Sequence, residues 1–297
     1  MRVNPNPLPD LLDALQLNQQ QINTDLQQVA SGQSVNVPAD NPAASALLVR
    51  NAGQTSEADQ FLRSIGSVQG EIQNADSTLN SVITTLQRAI SLGVEGANGT
   101  LSATDRAAIA SEVTGIQAQL VSLANNSYQG NFMFAGTASQ TVPYVLDASS
   151  PSGVRYAGNA GVTTVTLGNH FALQSNLPGS QLFSAPGHDM FQSIQDLITN
   201  LQSGNQPGIG TSVAQISDAY NHIGEQRVFY GNAENQLNSQ QTFLNSETTQ
   251  LAQQQSAIGG ADLPAVISNL VNAQTSRQAT LAAVARTGQT NLFDFLK

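Results

Sequence analysis

Few residues in this sequence could do chemistry, and their spacing argues against a catalytic centre. There are three histidines, His170, His188 and His222, and no cysteine. The histidines are scattered, without the close spacing of a metal-ligand set. The lack of cysteine removes thiolate ligands, thiol nucleophiles and disulfides. Serine is abundant, yet no Gly-x-Ser-x-Gly turn presents one as a nucleophile. Gly208-Ile209-Gly210 lacks a third glycine and a preceding strand, and reads as a loop. Lys297 is the only lysine, which excludes a Gly-Lys-Ser/Thr phosphate loop. The carboxylates are dispersed, so no acid–base pair can be argued. Asn98-Gly99-Thr100 and Asn125-Asn126-Ser127 fit the glycosylation pattern, but without a secretory signal they read as chance matches. The expectation is a protein that is not an enzyme and holds no cofactor or metal.

Composition points to contacts rather than chemistry. Of 297 residues, 40% are apolar, enough for a core, but only 10% are charged, well below the usual quarter. Gln, Asn, Ser and Thr carry the surface instead. Such surfaces desolvate at lower cost than charged ones and suit broad contacts between protein copies. A net charge of −10 without any basic stripe argues against nucleic-acid binding. No stretch approaches the ~18 apolar residues of a membrane span. Met1-Arg2-Val3-Asn4-Pro5 lacks the apolar segment of an ordinary secretory signal, so the expectation is either a cytosolic protein or one exported by a route without a cleaved leader.

The elements that carry this surface are long helices. Ile216, Ile223, Tyr230, Leu237, Leu244, Leu251 and Ile258 recur every seven residues. That period lays an apolar stripe along one helix face and favours packing against other helices. Leu8, Leu15, Ile22 and Val29, interleaved with Leu12 and Leu26, predict a first helix over Pro9–Ala30 that ends at Ser31-Gly32. Pro38 and Pro42 then forbid a continuous helix, with Asp40 expected to cap the next one. A second helix carries Ile65, Ile72, Leu79 and Leu86 beside Phe61, Val68, Ala75, Val82 and Ala89. Gly93 and the Gly96–Gly99 cluster should break it. A third, capped by Ser102 or Thr104, carries Ile109, Val113, Ile116, Leu120 and Leu123 and should fold back as a hairpin.

From Gly130 the period changes. Phe132–Phe134, Tyr144–Leu146, Val154–Tyr156, Val162–Leu167 and Phe171–Leu173 are β-type runs separated by turn residues. Helical pattern resumes at Met190, crosses a Gly204–Gly210 loop into the heptad helix, breaks at Gly259-Gly260 and ends in a helix capped by Asp262. The predicted fold is mainly α: an elongated antiparallel helical bundle or coiled-coil rod with a small inserted β domain. Its parts are 1–45, an N-terminal assembly helix and loop; 46–129 and 190–258, the helical rod; 130–189, the β domain; and 259–297, a C-terminal assembly helix. Phe132, Phe134, Tyr144 and Tyr156 are expected to form the β domain's own core.

Several stretches resemble the flagellin superfamily. Ser31-Gly32 followed by Pro38-Ala39-Asp40-Asn41-Pro42-Ala43 is similar to that family's loop between its first two helices. Gly130-Asn131-Phe132-Met133-Phe134-Ala135-Gly136-Thr137 with Tyr156-Ala157-Gly158-Asn159, and Ala261-Asp262-Leu263-Pro264 with Leu292-Phe293-Asp294-Phe295-Leu296, resemble its hook–filament junction branch. Two positions depart from the family pattern. Gln33-Ser34 stand where basic residues often follow the Ser-Gly pair, and Asn41 stands for the usual second acidic residue, so no salt bridge is carried over to this loop.

The resemblance implies a non-enzymatic adaptor at the hook–filament junction of the bacterial flagellum. It would be extracellular and exported through the flagellar type III apparatus without a cleaved signal. Copies would form a short ring between another hook-associated protein and flagellin. An export chaperone would bind the C-terminal region, and the terminal helices would order on assembly. The alternative within the family is a flagellin-type filament subunit; outside it, a hydrolase or lyase on the β domain or a coiled-coil fibre protein. The candidate assembly interface is Leu12, Leu15, Ile22, Leu26, Val29, Val266, Leu270, Leu281 and Val284, with the tail residues Leu292, Phe293, Phe295 and Leu296.

Overall fold

The heptad runs become helices whose inner faces are closed to solvent. The computed structural model describes residues 8–168 and 171–293, with side chains described up to 286. The described elements are α1 (Leu8–Ser31), α2 (Pro42–Gly96), α3 (Ala103–Ala124), α4 (Gly179–Leu182), α5 (Met190–Ser203), α6 (Gln206–Gly259) and α7 (Leu263–Phe293), with strands β1 (Ser127–Tyr128), β2 (Asn131–Phe132), β3 (Tyr144–Leu146), β4 (Val154–Tyr156), β5 (Thr164–Thr166) and β6 (Ala172–Gln174). The fold is mainly α with small antiparallel sheets, as the sequence pattern predicts. The chain divides into two units. One comprises Ala58–Asn245; the other takes the described residues up to Glu57 and from Ser246 on.

In the Ala58–Asn245 unit, Ile65, Leu79 and Leu86 of α2 and Ile216, Ile223 and Leu237 of α6 have no exposed surface. Each such side chain gains roughly 1.5–3 kcal/mol from leaving water. Polar pairs fix the antiparallel register of the two helices: Gln69 with Asn238, Gln73 with Glu234, and Gln87 with Tyr220. Between these, the Arg227 guanidinium grips Asp76 through two 2.8 Å hydrogen bonds. α3 packs on α5. Ser102 and Asp105 form a reciprocal capping box at the start of α3.

Two glycine signals resolve differently from the expectation. Gly93 does not break α2, which runs on to Gly96 and ends there, at the start of the glycine cluster expected to stop it. A Cβ at Gly93 would strike Val213 of α6, and one at Gly96 would strike Leu201 of α5, so these glycines let helices approach closely. The segment expected to be a loop up to Gly210 is already helical from Gln206. The Asn205 carbonyl accepts from Ile209 N–H at 2.9 Å, and Pro207 sits in the first turn, where its missing N–H costs nothing. Gly204, at φ 67°, closes α5 as expected.

The β region is three separate two-stranded ribbons, β1–β2, β3–β4 and β5–β6. It begins before the predicted Gly130, at Ser127. Its core is partly its own, with Tyr144 and Tyr156 rings 5.1 Å apart, and is shared with α5 and α6. Tyr144 meets Phe183 and Phe191 at ring distances of 5.9 and 4.9 Å, and Phe134 meets Phe183 edge-on at 5.1 Å. The Leu177 amide donates to the Tyr230 hydroxyl of α6 at 3.3 Å. Asn125, at the end of α3, supplies a side-chain substitute for a strand neighbour: its amide donates to Tyr144 O at 2.7 Å and accepts from Tyr144 N–H at 2.8 Å. The motifs around Phe134 and Asn159 form one substructure, because the Tyr156 hydroxyl lies 3.0 Å from Phe134 O and 2.8 Å from Asn159 O.

Candidate assembly interface

The terminal unit is built on α1 lying antiparallel to α7. Asn18 Nδ2 donates to Ser276 Oγ at 3.3 Å. At the other end of the pair, the turn after α1 is tied to the turn before α7. Ser34 N–H donates to Gly259 O at 2.7 Å, and Ala261 N–H donates to Gly32 O at 3.0 Å. Gly32 takes φ 69°, which ends α1 and aims the chain at this joint. Asp262 then caps α7, accepting from Ala265 N–H at 3.2 Å.

The proline-containing loop is organised by two side chains with separate tasks. Asp40, expected to cap α2, instead accepts from Asn36 and Val37 N–H at 2.9 Å each and closes the turn. Those donors, Val37 first, hold its carboxyl below the usual carboxylate range. Asn41 is the cap, accepting from Ala44 N–H at 3.0 Å, and Pro42 is the first helical residue. Beside the joint lies a cleft of about 570 Å³ walled by Gln33, Leu48, Val49, Ala252 and Gln255.

The terminal stripe divides in two. Ile22, Val266 and Ala273 are buried, and Leu15, Leu270 and Val284 are half-buried, within the unit itself. Their burial in the single chain therefore needs no neighbouring chain. Leu12 (49% exposed), Leu26 (48%), Val29 (36%) and Leu281 (44%) remain in solvent. So do Ile267 (49%) and Val271 (55%), which sequence reasoning missed. The signal was present: Leu263, Ile267 and Val271 form an i, i+4 row beside Val266 and Leu270, an apolar arc wider than one partner helix covers. The side chains of Leu292 and Phe293, and all of Phe295 and Leu296, lie outside what the structure describes. One buried group in α1 is incompletely satisfied. Asp25 Oδ1 accepts from Gln21 Nε2 at 2.9 Å, while Oδ2 has no partner among the described residues.

Of the histidines, His188 and His222 are not scattered in space. Their rings stack at 5.0 Å and 3°, and His222 Nε2 sits 2.8 Å from Gln181 O. Among the described residues no cluster of three or more metal-binding side chains converges there or elsewhere, and no helix is long and apolar enough to cross a membrane. His170 lies outside the described residues.

A wide apolar arc on paired terminal helices, a proline loop joined to a Gly-Gly turn, and a β insertion between helical segments define the class. The chain belongs to the flagellin superfamily. It matches the bacterial flagellin N-terminal helical region over residues 10–139 and the C-terminal helical region over residues 193–296. It is 34% identical over 120 residues to flagellar hook-associated protein 3 of Escherichia coli, covering 40% of this chain and 38% of that protein. The matched part is thus well under half of that relative's length. A flagellin of Listeria monocytogenes is 24% identical over 77% of this chain and 82% of its own. Among solved structures, flagellar hook associated protein-3 from Legionella pneumophila shares the fold, with a TM-score of 0.63 at 15% identity over 70% of this chain and 98% of that one.

Proposed function

We propose that this protein is a structural adaptor of the bacterial flagellum, joining the hook, through another hook-associated protein, to the flagellin filament. The observation that carries the proposal is the second apolar row of the terminal unit, Leu12, Leu26 and Val29 on α1 with Ile267, Val271 and Leu281 on α7, which is exposed in the single chain. Rows of this kind gain ~25 cal/mol for each Å² of apolar surface removed from water and so favour neighbours of like kind. The higher identity to hook-associated protein 3 than to the Listeria flagellin supports a junction over a filament subunit. In this reading copies form a ring, contacting a hook-associated protein on one side and flagellin on the other. The chain is exported without cleavage through the flagellar type III channel, its C-terminal region held by a chaperone. The half-buried Leu15, Leu270 and Val284 and the tail residues Leu292, Phe293, Phe295 and Leu296 complete the interface. It acts by contact and catalyses no reaction.

Deletion of the gene in the bacterium of origin, followed by microscopy and assay of the medium, tests this. Hooks without filaments, with flagellin released into the medium, is the expected result. Intact filaments would overturn it in favour of a minor filament subunit, and absent hooks would move the role upstream.

A further inference from the structure

A second recess, unrelated to the terminal helices, lies in the Ala58–Asn245 unit where α2 meets the β1–β2 and β5–β6 ribbons. Its volume is about 240 Å³. Ser67 and Glu71, one turn apart on α2, form one wall, and Tyr128, Gln129 and Phe132 form another. The Tyr128 ring crosses α2 at Gly70, where any Cβ would strike its hydroxyl. Gln129, at φ 50°, is the only described non-glycine residue with a positive φ, so the turn that walls the recess is held in a conformation its residue type disfavours.

Of the described polar side chains facing this space, Asn131 and Asn176 are hydrogen-bonded within the unit and the others are not. Among the described residues, the side chains of Ser67, Glu71, Tyr128 and Gln129 make no hydrogen bond or ion pair, although elsewhere the α2 face finds partners at Gln69, Gln73 and Asp76. Among the described residues, Glu71 is the only charged group lining the recess. Burial alone pushes its carboxyl above the usual range, as befits a carboxylate withdrawn from water and given no counter-charge. A half-buried carboxylate without a partner is stabilised most by a cation, and aromatic walls add to the attraction for one.

We propose that this recess is a binding site for one organic cation, an alkylammonium or guanidinium group, with Glu71 as counter-ion and Tyr128 and Phe132 as its aromatic wall. Supply from outside the unit fits the composition: the chain has 10 cationic residues against 20 acidic ones. The proposal is independent of the junction reading. The group arrives either on a free small molecule or on a lysine or arginine side chain of a protein neighbour.

Amide NMR spectra of the full chain, titrated with agmatine and separately with N-acetyl-lysine methylamide, test it. Agmatine stands for the free cation and the capped lysine for a side chain on a backbone. Saturable shifts at Gln129, Asn131 and Ser175 are expected, with at least tenfold weaker binding in Glu71→Gln. Gly70→Ala, which displaces Tyr128, should weaken binding as well. Binding of agmatine alone assigns the site to a free cation; binding of both admits a partner's side chain. No saturable shift with either probe, or equal binding in Glu71→Gln, would overturn the proposal.

Discussion

The Ser34 amide donates to the Gly259 carbonyl at 2.7 Å, so the turn that ends α1 and the turn that precedes α7 form one joint. The return bond from Ala261 N–H to Gly32 O closes it as a short antiparallel bridge. Ser34→Pro removes the donor and should cost the terminal unit ~1–3 kcal/mol, the usual penalty for leaving a hydrogen-bonding group unpaired. Hydrogen exchange at the Ala261 amide is the readout, and it should quicken while exchange at Leu79 stays unchanged.

Asp40 gives the joint's neighbouring loop a defined response to acid. Its folded carboxyl is held low by the Val37 and Asn36 amides. A carboxylate depressed in this way supports the folded loop above its unfolded value, ~3.9, and withdraws that support as pH falls through its lower folded value. Protection of the Asn36 and Val37 amides should therefore fall below about pH 4. In Asp40→Asn the fall should vanish.

Asp25 is 2% exposed and leaves one oxygen unpaired. Replacing a buried carboxylate that is poorly satisfied by an apolar side chain of similar size tends to stabilise. Asp25→Leu should raise the melting transition of the terminal unit, by the equivalent of ~1 kcal/mol. A lower transition would show that the carboxylate is satisfied in solution.

Leu79 and Ile267 should separate stability from assembly. Leu79 has no exposed surface, so Leu79→Ala should cost ~2–5 kcal/mol. Ile267 is half in solvent, so Ile267→Ser should change stability by no more than ~0.5 kcal/mol. Denaturant melts of the two variants check this.

Much of this was legible in the sequence because heptads are long and redundant. Seven apolar residues in register, Ile216 to Ile258, specify a helix face even where the intervening residues are unremarkable. Caps were legible where local chemistry decides them, as at Asp262, and were narrowed to Ser102 or Thr104 at the start of α3. Asp40 was misread because two adjacent residues can both cap, and only the fold shows that Asp40 is taken by the turn before it. Gly93 and Gly208 were misread because a glycine's local preference was outweighed by close packing against Val213, or by a capped first turn. The division of the terminal stripe was not legible, since periodicity shows that a face is apolar but not how many neighbours share it. Nor was the Glu71 recess, whose walls lie far apart in the chain.

The central claim is that the exposed row of the terminal unit joins this protein to its neighbours in the flagellum. The most direct measurement is complementation of the deletion strain with Ile267→Ser/Val271→Ser, scored by filament number per hook and by recovery of the folded variant from the medium. The account predicts a stable, exported protein that leaves hooks bare while flagellin escapes. Filaments at wild-type number would contradict it.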